Sequence, residues 1–137
     1  MPSDIRYDKS SGLIEIVLSG EVTGPELREA VQKRIALQRE TGAVGVLTDA
    51  SETQTSPSTM DLFDLPSHLY PEQDQRRRTV IALILPHAEG PKEMAVFLET
   101  ASRNRGWQMQ VFANRQSALA WLKEHAASSK AQEDTPR

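Results

Sequence analysis

Hydroxyl side chains are concentrated in one polar segment of this sequence, just after an aspartate. Residues 51–59 contain six serines and threonines, and Asp49 precedes them. A short apolar run comes before Asp49, and ligands of parallel sheets lie beyond the carboxyl ends of strands, near helix starts whose free N–H groups favour anions. We therefore expect a loop that binds a partner protein or an anion, with candidate residues Asp49, Ser51, Ser56, Ser58 and Thr59. The simpler interpretation is that these hydroxyls only cap the next helix.

The second candidate is the apolar segment from Met60 to Tyr70. It carries more apolar surface than a short helix interrupted by Pro66 can bury. An apolar element with a methionine can cover a nonpolar pocket or present a surface to a partner. The candidate pocket or interface residues are Met60, Phe63, Leu65, Leu69 and Tyr70. Two alternatives stay open, namely that the segment simply covers one face of a sheet or that it forms a homodimer contact.

Other chemistry has little support in the sequence. The chain has no cysteine, which removes disulfides, thiolate catalysis and most structural zinc sites. Its three histidines, at 68, 87 and 125, lack ligand spacing, and no acid–base–nucleophile set can be assembled around them. The formal charge of −3 argues against a nucleic-acid binder. We therefore predict no catalytic residues, no metal, no cofactor and no nucleic-acid partner.

A run of three arginines, residues 76–78, precedes the most apolar stretch of the chain. These side chains could hold an anionic partner or a phosphate. A solvated basic run that protects the start of an aggregation-prone strand explains them equally well.

Residues 79–85, Thr-Val-Ile-Ala-Leu-Ile-Leu, are the most informative stretch for the fold. The run is too short to cross a bilayer, which takes about 20 apolar residues. It is also too continuous for a strand with one wet face, because such a strand alternates apolar and polar residues. The sequence therefore predicts a central strand that is buried on both faces by helices, which is an α/β fold.

The remaining elements follow from their local signals. Thr23, Pro25 and Glu26 form a helix start with a capping box, and Gly42 marks the end of that helix. The predicted order is β-β-α-β-α-β-α-β-α, with strands over 5–8, 13–18, 43–48, 79–85 and 107–112. We expect one domain over residues 1–125 and a disordered tail over 126–137, because the tail has no apolar anchor.

This order resembles the STAS family, and more narrowly its SpoIIAA-like branch, which also shares its shape with CRAL-TRIO lipid-binding domains. The resemblance covers residues 4 to about 124 and is carried by residues 13–23, 46–51 and 104–122. It implies a mixed sheet with an N-terminal β-hairpin, followed by three strand–helix units whose helices pack on the sheet.

In the anti-sigma-factor antagonists of this family, the third strand ends in Asp-x-Ser and a phosphorylatable serine begins the next helix. Asp49-Ala50-Ser51 matches the first part, and the resemblance places the phosphoserine position at Ser58. However, Thr55-Ser56-Pro57-Ser58-Thr59-Met60 stands where Asp-Ser-Ser-Gly is expected. Our hypothesis is therefore that the loop binds a partner without being switched by phosphate.

The resulting prediction is a non-enzymatic regulatory domain that binds a protein through the loop and helix after strand three. The alternative is a small-molecule module that holds an apolar or lipid-like ligand under the 60–70 segment. Asp49 could also be the phospho-acceptor of a response-regulator receiver, but the acidic pair and the lysine of that mechanism are not found. The first eight residues lack the apolar core of a secretory signal, so we expect a cytoplasmic protein with no membrane span.

Overall fold

The computed structural model describes the backbone of residues 3–134 and the side chains of residues 3–127. The strands are β1 (Ser3–Asp8), β2 (Leu13–Glu21), β3 (Gly45–Thr55), β4 (Val80–Ile84) and β5 (Gln108–Phe112). The helices are α1 (Gly24–Thr41), α2 (Thr59–Asp64), α3 (Tyr70–Glu72), α4 (Glu89–Asn104) and α5 (Arg115–Asp134), with a π-helical turn over Leu65–Leu69. The order of strands and helices confirms the prediction from the sequence.

The five strands form one mixed sheet in the order β1-β2-β3-β4-β5. β1 and β2 are an antiparallel hairpin, and β2, β3, β4 and β5 are parallel to one another. Val46, Ile81 and Met109 lie opposite one another on adjacent parallel strands and belong to one core cluster. Over residues 3–134, no helix combines the length and apolarity needed to cross a membrane.

β4 is enclosed on both faces. Ile81 and Leu83 pack in the larger core cluster, together with residues of α1, α2 and α4. The other three residues of the strand pack in a second cluster with Ala118 and Leu122 of α5. All five β4 residues are buried, which confirms the prediction of a strand covered on both sides. Complete burial of an aliphatic side chain contributes about 1.5–3 kcal/mol.

The start of α1 has the predicted capping box. The Thr23 hydroxyl accepts a hydrogen bond from the Glu26 amide at 3.3 Å, and the Glu26 carboxylate accepts one from the Thr23 amide at 3.0 Å. Gly42 ends the helix with φ of 78°, a left-handed conformation that is readily accessible to glycine.

β3 is longer than predicted, and this corrects the description of residues 49–55 as a loop. The strand continues to Thr55 because β2 also continues: Glu52, Thr53 and Thr55 pair with Ser19, Gly20 and Glu21 in that order. Two irregularities in the pairing, after Val17 and after Gly20, accommodate this extension. The β-branched Thr53 and Thr55 suit a strand. The hydroxyl-rich segment is therefore mostly sheet.

The 65–72 region is helical, whereas the sequence predicted a short helix interrupted by Pro66. Pro66 has no N–H to donate, and the Tyr70 amide donates to the Leu65 carbonyl, which produces the π turn. In a regular α-helix, the Tyr70 amide would bond to the Pro66 carbonyl. That carbonyl instead accepts the indole N–H of Trp107 at 3.0 Å, and the two rings of Tyr70 and Trp107 meet edge to face.

α5 is also longer than predicted, since it continues to Asp134 where a disordered tail was expected from residue 126. Alanine, lysine, glutamine and glutamate in this segment are good helix formers. Ala126 packs against the cluster that contains Leu122, so the helix extends past the predicted domain boundary at 125. The predicted disorder of residues 135–137 lies outside the described residues, and the domain boundary itself stays a prediction.

An ion pair links the first turn of α5 to β2. The two terminal guanidinium nitrogens of Arg115, Nη1 and Nη2, donate to the Glu15 carboxylate at 2.7 and 2.9 Å. This hydrogen bonding holds the pKa of Glu15 below its ordinary value. Arg6 on β1 is a second, weaker partner of the same carboxylate, at 3.6 Å.

Loss of either isoleucine of β4 should be costly, because one faces each core cluster. We expect Ile81→Ala and Ile84→Ala each to lower the free energy of unfolding by about 2–5 kcal/mol in urea denaturation. Val96→Ala is the control, since Val96 is 43% exposed and should cost less than about 0.5 kcal/mol. A cost below about 1 kcal/mol for either isoleucine would mean that its face of the strand is not enclosed.

The Glu15–Arg115 pair should make stability depend on pH. Because the folded pKa of Glu15 is lowered, the stabilisation is present above the ordinary value of 4.5 and is lost as pH falls through the lowered value. Arg115 is 48% exposed, so we expect Arg115→Gln to cost only about 0.5–1 kcal/mol at neutral pH. Urea titrations should show that the difference in the free energy of unfolding between wild type and Arg115→Gln becomes smaller as the pH falls through the acidic range. The corresponding difference for Arg6→Gln should be smaller at every pH. If the effect of Arg115→Gln on the free energy of unfolding did not change with pH, Arg115 would not be the cause of the lowered pKa of Glu15.

Candidate functional site

Asp49 lies beside the first turn of α5, and Ser51 is hydrogen-bonded to it. The Asp49 carboxylate accepts hydrogen bonds from the Ser51 amide at 3.0 Å and from its hydroxyl at 2.6 Å. Arg115 of α5 lies 4.0 Å from the other carboxylate oxygen of Asp49. These two candidate residues therefore belong to a local hydrogen-bonded turn beside the Glu15–Arg115 pair.

Ser56, Ser58 and Thr59 lie elsewhere, in the connection that leads from β3 into α2. Ser58 is the N-cap of α2, since its hydroxyl accepts from the Asp61 amide at 3.1 Å and the Asp61 carboxylate accepts from the Ser58 amide. The Ser58 hydroxyl therefore caps α2. Ser58 and Thr59 are exposed, and Ser56 is half-buried.

The five predicted loop residues therefore do not form one cluster. Asp49 lies on the α5 side, beside Arg115. The irregularity in the β2–β3 pairing between Asp49 and Glu52 then interrupts the alternation, so that Thr53 and Thr55 line a cavity on the other face. Only Ser56, Ser58 and Thr59 remain together, beside the start of α2. Whether any of the five binds a partner or an anion stays a prediction.

The five apolar candidates also separate into two kinds. Leu65, Leu69 and Tyr70 are at most 2% exposed and belong to the larger core cluster, so they cover the sheet face. Phe63 is half-buried, with the Arg105 guanidinium 4.2 Å from the centre of its ring. Met60 is 75% exposed on the first turn of α2.

A mostly apolar cavity of about 80 Å³ lies between the sheet and helices α1, α2 and α4. Its lining includes Leu62, Leu65 and Tyr70 below the 60–70 segment, and Ser56 and Pro57 beside the end of β3. Ligand pockets for drug-sized molecules usually hold about 300–1,000 Å³. The cavity in this conformation is thus too small for a lipid-like ligand, and the apolar-ligand alternative stays a prediction.

Sequence reasoning did not identify the buried arginine Arg34. Arg34 of α1 is 2% exposed, and it donates to the Oε1 atoms of Gln38 at 2.8 Å and Gln75 at 2.5 Å. Its guanidinium lies 5.5 Å from the ring centre of Tyr70, and burial lowers its pKa. Arg34 forms no ion pair with any residue that the structure describes. Its position was a usable signal, because it follows Ala30 by four residues on the apolar stripe of α1.

The arginine run before β4 is partly packed. Arg77 stacks on Trp107 at 3.7 Å and donates to the Arg105 carbonyl at 2.5 Å. Within the described residues, no group of three histidine, aspartate or glutamate side chains could hold a metal ion.

No protein-family model matches the sequence, and no curated protein matches it. Its fold does match solved structures. An anti-sigma factor antagonist from Mycobacterium paratuberculosis is 13% identical, with a TM-score of 0.62 over 88% of this chain and 92% of that one. An uncharacterised protein with a SpoIIAA-like fold from Shewanella loihica is 16% identical, with a TM-score of 0.50 over 88% of this chain and 91% of that one.

A third match is the Bacillus cell fate determinant SpoIIAA in its phosphorylated form, at 16% identity and a TM-score of 0.50 over 87% of this chain and 97% of that one. At these identities the comparisons establish the fold. The chain therefore has the SpoIIAA-like fold, which confirms the fold that the resemblance implied.

Proposed function

We propose that this protein is a non-enzymatic regulatory domain that binds another protein through the first turn of α2. The single observation that carries the proposal is the exposure of Met60, which is 75% exposed two residues after the Ser58 cap. Methionine is enriched in protein–protein interfaces relative to the rest of the protein surface. We call Ser56, Ser58, Thr59 and Met60 the α2 surface. The fold is also that of anti-sigma factor antagonists, which supports a protein partner.

The α2 surface is held rigidly. Leu62 and Leu65 anchor the helix in the larger core cluster, and Arg28 of α1 forms an ion pair with Asp64. Gly24 allows α1 to approach, since a Cβ there would lie 2.5 Å from the Asp61 carboxylate. A preorganised surface loses little conformational entropy when it binds. Met60 is therefore presented in a fixed place.

The phosphate switch has less support than the surface itself. Phosphate on Ser58 would sit at a helix start, where the dipole favours negative charge. It would also stand beside the Asp61 carboxylate, which accepts a hydrogen bond from the Ser58 amide. The phosphate and the Asp61 carboxylate would repel each other because both are negatively charged. The capping box between Ser58 and Asp61 would therefore be lost. We therefore infer that the α2 surface binds its partner without phosphorylation. We also propose that the protein is cytoplasmic.

Met60→Ser should abolish partner binding without affecting the fold. The immobilised protein should capture a partner from extract of its native host, and the variant should capture at least about tenfold less by quantitative mass spectrometry. Its free energy of unfolding should change by less than about 0.5 kcal/mol, because Met60 is exposed. Gln116→Ser, an exposed change on the first turn of α5 across the sheet, should capture normally. Equal capture by Met60→Ser and wild type would rule out this surface.

Intact-mass analysis of protein from its native host should show no phosphatase-sensitive phosphate. Ser58→Asp should remain folded, because aspartate is a good N-cap, whereas Ser58→Ala should lose about 0.5–2 kcal/mol of stability. If Ser58→Ala lost partner capture while Ser58→Asp kept it, the cap would matter for the surface. One phosphate mapped to Ser56, Ser58 or Thr59 would instead restore the antagonist switch.

A further inference from the structure

The apolar cavity between the sheet and helices α1, α2 and α4 has one charged residue in its lining. That residue is Arg34, and every other described residue around the cavity is uncharged. Arginine keeps its proton even where burial lowers its pKa, as it does here. The cavity therefore combines apolar walls with a single fixed cation.

The positive charge of Arg34 has no counter-ion among the residues that the structure describes. The side chain is 2% exposed, so bulk water does not solvate it. Gln38 and Gln75 accept hydrogen bonds from it through neutral amide oxygens, and its Nε has no acceptor in the described part of the chain. A buried cation normally finds an anion, and a buried donor normally finds an acceptor. An anion that reached Arg34 from the cavity would satisfy both requirements.

The volume of the cavity limits what such an anion can be. The cavity measures about 80 Å³ and one water occupies roughly 30 Å³ of liquid, so there is room for two or three groups of that size. An engineered apolar cavity of about 150 Å³ admits benzene, so this cavity suits a smaller molecule. The half-buried lining residues Ser56, Pro57 and Pro91 follow β3 and β4, at the carboxyl end of the sheet. We expect a ligand to enter there, with its charged group turned toward Arg34.

We propose that this cavity binds a short-chain aliphatic carboxylate, with propionate as the simplest example. The methyl, methylene and carboxylate groups of propionate are about as many groups as the volume admits. A carboxylate matches a guanidinium in charge and in planar geometry, and the alkyl chain gains from burial against apolar walls. A neutral molecule would leave the charge of Arg34 uncompensated, and a dianion would bring a second charge that no described lining residue balances.

This site is separate from the residue that carries the proposed function. Met60 is not among the residues that line the cavity, and carboxylate binding is measured without a partner protein. Failure of one proposal therefore leaves the other standing.

Calorimetric titration of the wild-type protein with sodium propionate, at constant ionic strength in sodium chloride, tests the binding. We expect saturation at one site with a Kd below about 1 mM. The melting temperature should rise by roughly 3 °C or more once propionate exceeds its Kd by ~10-fold. Propionamide has nearly the same shape without the charge and should bind at least about tenfold more weakly. Octanoate should also bind more weakly than propionate, because its chain exceeds the volume of the cavity.

Nuclear Overhauser effects locate the ligand without any substitution. In protein with labelled methyl groups, the propionate methyl protons should contact the methyl groups of Ile81 or Leu83, which line the cavity. The same protons should show no contact with Leu47 or Leu122, which belong to the second core cluster on the other face of the sheet.

A matched pair of arginine substitutions tests the role of the cation. Arg34→Met removes the charge that lines the cavity, and it should weaken propionate binding by at least about tenfold while leaving propionamide binding nearly unchanged. A general loss of structure would weaken both ligands alike. Arg39→Met removes an equal charge from an exposed position of the same helix outside the cavity, and it should bind propionate normally.

Four results would each overturn the proposal. They are the absence of saturable propionate binding by the wild type, an affinity for propionamide or octanoate that equals or exceeds that for propionate, ligand contacts to Leu47 or Leu122, and an unchanged propionate affinity in Arg34→Met. If Arg34→Met fails to fold, the Overhauser contacts and the comparison with propionamide decide the matter in the wild-type protein.

Discussion

The enclosure of β4 is the constraint on which the rest of the structure depends. Its five residues are apolar and buried, and successive side chains enter different clusters. A strand of this kind is stable only if both faces of the sheet are covered. One face is covered by α1, α2 and α4, and the other is covered by α5. The parallel strands are therefore joined by helical crossover connections that place helices on both faces of the sheet. The one antiparallel pair is confined to the edge hairpin.

The π turn shows how a local defect in a helix can support the core. Pro66 removes one backbone donor, and the resulting shift frees the Pro66 carbonyl to accept the Trp107 indole. Trp107 in turn packs on Tyr70, which lies beside Arg34. The connection between α2 and β4, the larger core cluster and α1 are therefore joined through one chain of contacts.

Elements whose position depends on neighbouring residues in the sequence were predicted correctly. The apolar run of β4, the Thr23–Glu26 capping box and the Gly42 helix end all appear in the structure as expected. The extension of β3 was missed because it depends on pairing with a distant strand, β2, whose irregularities are not visible in the hydroxyl-rich segment. The π turn was missed for a similar reason, since Pro66 predicts a break and only Trp107 stabilises a continuation.

The candidate sites were harder to predict than the elements. The extension of β3 to Thr55 separated Asp49 and Ser51 from Ser56 and Ser58, which the loop hypothesis had grouped together. Arg34 was overlooked because arginine is rarely buried, although its spacing placed it on the apolar stripe of α1. Its partners Gln38 and Gln75 are 37 residues apart in sequence, and only the fold brings both to the same guanidinium.

The spatial order of the strands is the same as their order along the chain. Every strand after the first therefore pairs with the one made immediately before it, across the hairpin turn over residues 9–12 or one of three longer connections, over residues 22–44, 56–79 and 85–107. The entropy of loop closure is then lost in similar, moderate steps, and no strand has to insert between two earlier ones. The sheet can grow from the amino terminus during synthesis, with one face of β4 left open until α5 arrives.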